Sequence, residues 1–404
     1  MVRFNGPTFV VLLLFQGVAP VLGRQVPVID GIIGGIPKSD PIIGGNVFKL
    51  QTNISTTPGQ LRVTENSGIC ETTPGVYQAS GYADLTSTQS LWFWFFESRS
   101  NPGNAPLTIW LNGGPGSSSM IGLLQENGPC RIQNDSSGEV ALNPYSWNNV
   151  ANMLYIDQPV GAGFSYGDTE VSTSQEAAED LWTFMQIFFS DSRFSKYADL
   201  DFAIWTESYG GHYGPVTAAY FLEQNAAILN TSILGIPINL KVLGIGDGLT
   251  DPASQYPSYL NYAMNNSYHP LVGEDVFQNA NATMFRPFGC LDRINECAES
   301  DGDASTCGLA QLICNEFILT PLAGDYDVYD VRALNPDPYP PDISSYLTNP
   351  NITSHIGAES TWQESNDDVY ENFALTGDWM ISSLPQLEFV IESGVRTVIY
   401  AGDA

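Results

Sequence analysis

One stretch constrains this chain more than any other: Trp205-Thr206-Glu207-Ser208-Tyr209-Gly210-Gly211. Asp201 to Trp205 before it is short and largely apolar, as a buried strand is. Pro215 to Leu222 after it reads as a helix with Pro215 in its first turn. A serine between strand and helix, flanked by small residues, is the pattern of a nucleophile elbow. That turn is so tight that bulk clashes, and it lifts the hydroxyl above the sheet edge. Thr206 stands where such elbows usually carry a first glycine. Taken alone, the stretch also fits a polar loop capped by Ser208.

Strands are expected to begin near Gln78, and short apolar runs at 91–96, 107–111, 152–156 and 241–245 suit a sheet buried on both faces. Between them, Thr173 to Phe189 is a helix with a capping box at Thr173 and Glu176. Its residues Ala177, Leu181, Phe184, Met185 and Phe188 share one face. Strands alternating with helices predict a parallel α/β sheet. From Ser254 to Asp368 the pattern breaks into Pro, Asn, Asp and clustered Cys, the mark of an insertion lying over the sheet. Periodicity returns at Val369, in a helix over 384–391 and in a last strand over 397–400. The expected organisation is a core over 61–253, a disulfide-rich cap over 254–368 and core again over 369–404.

Residues 1–23 read as a secretory signal peptide: Arg3, an apolar run from Phe9 to Phe15, then Val21-Leu22-Gly23. That run is too short to span a bilayer, and no later stretch is expected to be long enough. Residues 24–60, rich in Gly, Pro and Ile with Ile-Ile-Gly-Gly at 32–35 and 42–45, read as a leader or propeptide-like arm without a fold of its own. Six cysteines in an exported chain imply disulfides. Cys290, Cys297, Cys307 and Cys314 are expected to form two local bridges, with Cys70 and Cys130 paired together or elsewhere. Sequons begin at Asn53, Asn134, Asn230, Asn265, Asn281 and Asn351 and predict glycosylation. The formal charge of -30 disfavours nucleic acid and anionic membranes as partners. Cysteine spacing and only three histidines speak against a metal site, and no cofactor is expected.

A second informative stretch is Trp110-Leu111-Asn112-Gly113-Gly114-Pro115-Gly116-Ser117-Ser118, after a strand. A glycine-rich loop can aim a backbone N–H at a developing oxyanion because no side chain blocks the approach. Phosphate binding fails on detail, since the P-loop Lys and the dinucleotide spacing are missing.

These two stretches, together with Glu126 to Pro129, Asn143 to Asn148, Asp157 to Ser165, Gly246 to Pro252 and Thr376 to Met380, occur in an order that resembles the secreted and vacuolar serine carboxypeptidases. The likeness covers roughly residues 70 to 404. It implies an α/β-hydrolase fold with an inserted cap, removal of one residue from a peptide's free C-terminus through an acyl-enzyme, and a secreted or vacuolar location. By resemblance, Ser208 is the nucleophile, and Gly114 and Tyr209 supply the oxyanion hole through their N–H groups. Trp110, Asn112, Glu126 and Glu207 match residues that bind the substrate's terminal carboxylate. Two carboxyl groups held close do not both ionise easily, so one pKa rises. A protonated Glu can then donate to the carboxylate, which predicts an acidic optimum.

The family's triad acid lies two residues past the position of Asp403, and its base further on. His212, His269 and His355 match neither role, so the expectation is a truncated chain, inactive as it stands. Two alternatives remain open: an acyltransferase of the same fold, and a secreted binding protein without catalysis.

Overall fold

The computed structural model describes Val26, residues 28–29, 32–35, 56–133, 138–337 and 340–404. The signal peptide, the second Ile-Ile-Gly-Gly run and the sequons at Asn53 and Asn134 lie outside the described residues.

The strands of the central sheet are β1 (Leu61–Glu65), β2 (Gln78–Asp84), β3 (Gln89–Phe96), β4 (Leu107–Leu111), β5 (Asn152–Asp157), β6 (Tyr166–Gly167), β7 (Phe202–Glu207), β8 (Leu240–Gly246) and β9 (Arg396–Tyr400). Their spatial order is β9-β8-β7-β4-β5-β3-β2-β1, with β6 beside β3. The half from β9 to β5 is parallel. The half from β3 to β1 is antiparallel. Strand β7, which carries the elbow, therefore sits inside the parallel half, between β4 and β8.

Strand β3 shows why the sheet is buried on both faces. Leu91, Phe93 and Phe95 point into one apolar cluster, and Trp92, Trp94 and Phe96 into another. This is the period-two alternation of a strand, with apolar residues at both phases. Helices α1 (Ser174–Ser190) and α2 (Gly210–Leu229) cover the first face with the helix Leu384–Glu392. The predicted face of α1, from Ala177 to Phe188, is buried. Its cap differs slightly from the expected box. Thr173 accepts from the Glu176 N–H, but Glu176 accepts from the N–H of Ser172, one residue earlier.

Residues 252–323 form helices, not the irregular insertion that their Pro and Asn content suggests: α3 (Pro252–Asn265), α4 (Glu274–Phe285), α5 (Cys290–Glu299) and α6 (Ala304–Cys314). Capping by Asp251 and Asp303 accounts for part of that polar content, because each accepts from an N–H in its helix's first turn. Two nested disulfides, Cys290–Cys314 and Cys297–Cys307, tie α5 to α6. Cys70 pairs with Cys130. Helix α7 (Asp367–Thr376) packs between the α5–α6 pair and the elbow, with Phe373 against the rings of Tyr209 and Tyr213, and α8 (Leu384–Glu392) follows it. The helical run Ala304–Ala323 is long and apolar enough to cross a membrane by length and composition, contrary to expectation. It holds two of the disulfide cysteines and contributes Ala310, Ile318 and Leu322 to the cap's core.

Two further expectations are corrected. Strand β1 precedes the predicted first strand near Gln78. Its Arg62 guanidinium reaches the buried Asp84 carboxylate on β2, so a charged residue is tolerated at the sheet edge. Helix α2 starts at Gly210, which places Pro215 in its second turn. Proline has no N–H for the carbonyl four residues back. That carbonyl, on Gly211, accepts instead from the Ser383 hydroxyl at 2.7 Å. Ser383→Ala should leave the buried carbonyl unpaired at a cost of roughly 1–3 kcal/mol. The check is the urea midpoint of the variant against wild type. An unchanged midpoint would show that Gly211 finds another partner.

Candidate active site

Strand β7 ends in the elbow. Ser208 has φ +58°, a left-handed conformation rare for a residue with a side chain. Its N–H donates to the Gly246 carbonyl on β8, and its own carbonyl accepts from Leu249 and Gly211. The missing first glycine now has an explanation. The Thr206 side chain faces the helix, where Gly210 and Gly214 leave room for it. A Cβ at Gly210 would lie 2.5 Å from Thr206 Cβ. The Thr206 hydroxyl donates to the Gly210 carbonyl at 2.9 Å. Space that other elbows make on the strand side is made here on the helix side.

The glycine-rich loop after β4 lies directly against this turn. A Cβ at Gly113 would meet the Tyr209 nitrogen at 2.4 Å and Ser208 Cβ at 3.0 Å. Gly114, at φ +109°, turns the chain beside it. Neither the Gly114 nor the Tyr209 N–H donates to another described residue. Two free amides beside a nucleophile turn are what an oxyanion needs. Asp157, a residue without a distinguishing signal of its own in the sequence, holds this loop in place. Its carboxylate accepts from Ser118 Oγ, the Ser119 N–H and the Phe164 N–H. Burial pushes its pKa up to about 6, against the lowering effect of those hydrogen bonds. Asp378 similarly fixes Tyr209, accepting from its hydroxyl at 2.5 Å and from Ser174 Oγ at 2.6 Å. Both acids stand in the stretches that carried the resemblance, and that was their only signal.

Asn112, Glu126 and Glu207 come together. The Asn112 amide nitrogen donates to Glu207 Oε1 at 2.7 Å and Glu126 Oε1 at 3.2 Å. Its oxygen accepts from the Trp110 indole N–H at 2.9 Å and the Gly122 N–H at 3.0 Å. All four hydrogen-bonding positions of the amide are used, so its orientation is fixed. Glu126 and Glu207 accept from the same Asn112 nitrogen, and two carboxyl groups held that close favour a proton between them. Burial, and then the charge of Glu207, raise the Glu126 pKa well above its ordinary value.

Both glutamates line the same cleft as Ser208 and Tyr209, a cavity of about 770 Å³ under the cap. Trp110 and Asn112 do not line it. They are fully or almost fully buried, one layer behind the pair. The Trp110 N–H is occupied by Asn112, so this residue reaches the cleft only through its neighbour. None of the three histidines lines the cleft either. His212 is buried, stacks on the Tyr209 ring at 4.7 Å and meets the Leu249 carbonyl through Nδ1. Burial lowers its pKa. His269 and His355 bond to backbone carbonyls in the cap region. Among the described residues no group of His, Cys, Asp and Glu could hold a metal ion.

A family model described as serine carboxypeptidase matches residues 68–404. Carboxypeptidase S1 of Penicillium janthinellum is 45% identical over 350 residues, covering 84% of this chain and 80% of that protein. Carboxypeptidase S1 homolog B of Arthroderma otae is 34% identical over 410 residues, covering 83% of this chain but only 62% of the relative. Among solved structures, that of Kex1(delta)p, a prohormone-processing carboxypeptidase from Saccharomyces cerevisiae, matches with a TM-score of 0.66 and 25% identity. That match covers 84% of this chain and 76% of the other.

The shared proton has a consequence for stability. Glu126 binds its proton more tightly when folded than when unfolded, where it titrates near 4.5. Its contribution is fully present below that pH and is lost as pH rises through the folded pKa. Glu126→Gln keeps the shape without the proton, so its urea midpoint should fall less as pH rises above 4.5. Parallel midpoint profiles for the two proteins would show that the pair holds no extra proton.

Proposed function

Because this chain belongs to the serine carboxypeptidase family, we propose that it removes the terminal residue of peptides and proteins from the free C-terminal end, by acyl transfer through Ser208. The observation that carries this reading is the Glu126–Glu207 pair, held by Asn112 in the cleft of the elbow serine. An endopeptidase has no need of a carboxylate reader beside its nucleophile. An exopeptidase does.

In this mechanism the terminal carboxylate accepts a hydrogen bond from the protonated pair. Ser208 Oγ attacks the carbonyl carbon of the last peptide bond. The carbonyl oxygen becomes an oxyanion, stabilised by the N–H groups of Gly114 and Tyr209. The C–N bond breaks, the released residue leaves with a proton on its amine, and water then cleaves the ester on Ser208. The Ser208 proton leaves to a base, a role for which none of the three histidines is placed. Asn112 and Trp110 act as positioning residues for the pair, without touching the peptide.

Passage through the secretory pathway belongs to the same proposal. It is supported by three disulfides and by exposed sequon asparagines at Asn230, Asn265 and Asn351. Delivery to the vacuole and release outside the cell both fit.

Two outcomes are expected. In the active enzyme, Ser208→Ala should lower turnover of an N-blocked dipeptide by several orders of magnitude while the fold stays intact. Turnover close to wild type would mean that another residue attacks. In the Ser208→Ala background, where nothing is consumed, binding of the dipeptide acid should weaken as pH rises through the apparent pKa of the pair. The matching amide, with no carboxylate to satisfy, should respond much less, and Glu126→Gln should flatten the profile of the acid. If acid and amide show the same profile, the pair does not read the C-terminus.

A further inference from the structure

The arm before the core is not loose where it is described. Val28–Ile29 and Ile32–Ile33 pair as a two-stranded antiparallel hairpin, with Val28 opposite Ile33. Gly34 follows the second strand in a left-handed conformation at φ +61°. Its carbonyl accepts from two buried side-chain amides of the cap, Gln311 at 3.1 Å and Asn315 at 2.6 Å. The Ile33 N–H donates to Thr320 Oγ1 at 2.7 Å, and the Val26 N–H to the Tyr329 hydroxyl at 2.7 Å. Four hydrogen bonds thus tie backbone groups of the arm to cap side chains.

The anchor continues to the cleft. Asn315 Oδ1 accepts from the Tyr256 hydroxyl, which accepts in turn from the Trp379 indole N–H. Trp379 lines the cleft that holds Ser208, and so do Val26 and Ile33 themselves. Tyr329, the partner of Val26, also lines it, within electrostatic reach of Glu207. The arm therefore borders the same cleft that holds the carboxyl pair. It leaves a cavity open beside Ser208 and does not fill it.

We infer that Val26 and the segment 32–35 are a fixed wall of the substrate cleft, with Ile33 and Val26 contacting the apolar side chain of the peptide's terminal residue. This rests on the carboxypeptidase reading, since it is the carboxyl pair that defines where the terminal residue lies. It gives the segment a specificity-determining role in the working enzyme, in place of the leader role that its composition suggests. The ligand class is a peptide acid ending in a branched aliphatic residue. Glycine at position 34 is part of the device: a Cβ there would meet Asn315 Nδ2 at 2.6 Å, and the left-handed backbone disfavours any side chain.

The test uses the full chain carrying Ser208→Ala and measures equilibrium binding of two N-blocked dipeptide acids, one ending in Leu and one in Gly. Ile33→Ala should weaken the Leu-ended acid roughly fivefold to tenfold and leave the Gly-ended acid within about twofold. Gly34→Ala should undock the hairpin and give the same selective loss. Should Gly34→Ala fail to fold, Ile33→Ala decides alone. Equal loss for both peptides overturns the inference. Tighter binding by either variant overturns it too, because the arm would then be a strap that competes with substrate. The Leu-ended amide separates the two readings. Acid bound in preference to amide, with no selective effect of Ile33→Ala, sinks the wall alone. Acid and amide bound alike at acidic pH sinks the carboxypeptidase reading beneath it.

Discussion

The site rests on one close approach of two backbones. Ser208 is held at φ +58°, and the loop after β4 passes so near that only glycine fits at 113. A left-handed non-glycine residue costs on the order of 1–3 kcal/mol and persists only where its surroundings fix it. Here they do. β8 accepts from the Ser208 N–H, Leu249 and Gly211 donate to its carbonyl, and Asp157 braces the neighbouring loop from a buried position. The strain delivers a hydroxyl and two unengaged N–H groups to one place. Relaxing any of these supports would move the N–H groups away from the serine and leave both parts without chemistry.

The carboxyl pair depends on the same strand and loop. Glu207 precedes the serine, and Asn112 precedes the glycines, so the spacing that fixes Ser208 also fixes the carboxyl pair proposed to read the C-terminus. The amide of Asn112 does more than bridge. Its oxygen is occupied by Trp110 and Gly122, which forces its two N–H groups toward the glutamates. Gly122 is small for a reason that follows: a Cβ there would lie 2.1 Å from the Trp110 indole nitrogen. Burial of two like charges is unfavourable, and a proton shared between them relieves it.

Much of this was legible in the residues, and the limits have physical causes. The strands of the parallel half announce themselves as apolar runs because both faces are covered, and β3 shows the reason in its two clusters. The nucleophile, the glycine loop and the pair were legible because tight turns and buried acids restrict residue choice severely. Asp157 and Asp378 were not assigned roles, since a carboxylate that braces a backbone reads like any other acid in sequence. Trp110 was assigned to the cleft, though its N–H faces Asn112. Direction within a layer is set by packing, which a residue name does not carry. The cap's helices hid behind Pro and Asn that serve as caps and first-turn residues. The docking of the arm is hidden for a related reason. Gly34 and the isoleucines before it have the composition of a linker, and their order comes from Gln311, Asn315 and Thr320, nearly three hundred residues away.

The charge of the whole chain bears on why the reader takes this form. With a formal charge of -30, the protein repels an approaching carboxylate at long range. Among the described residues no Lys, Arg or His lines the cleft to reverse that locally, while Asp327 and Asp342 add to it. Burial, with the charge of Asp342, pushes Glu364 up to about 7, so even the wall retains protons in an acidic medium. Salt screens the long-range repulsion over roughly 8 Å at physiological strength but leaves the buried contact intact. Recognition of an anion by such a surface has to be short in range and protic. A hydrogen bond from a shared proton meets that requirement, and an arginine would not lose its affinity as pH rises. The acidity of the surface and the chemistry of the pair therefore point the same way, and under the proposed function both favour binding of peptide ends where carboxyl groups hold their protons.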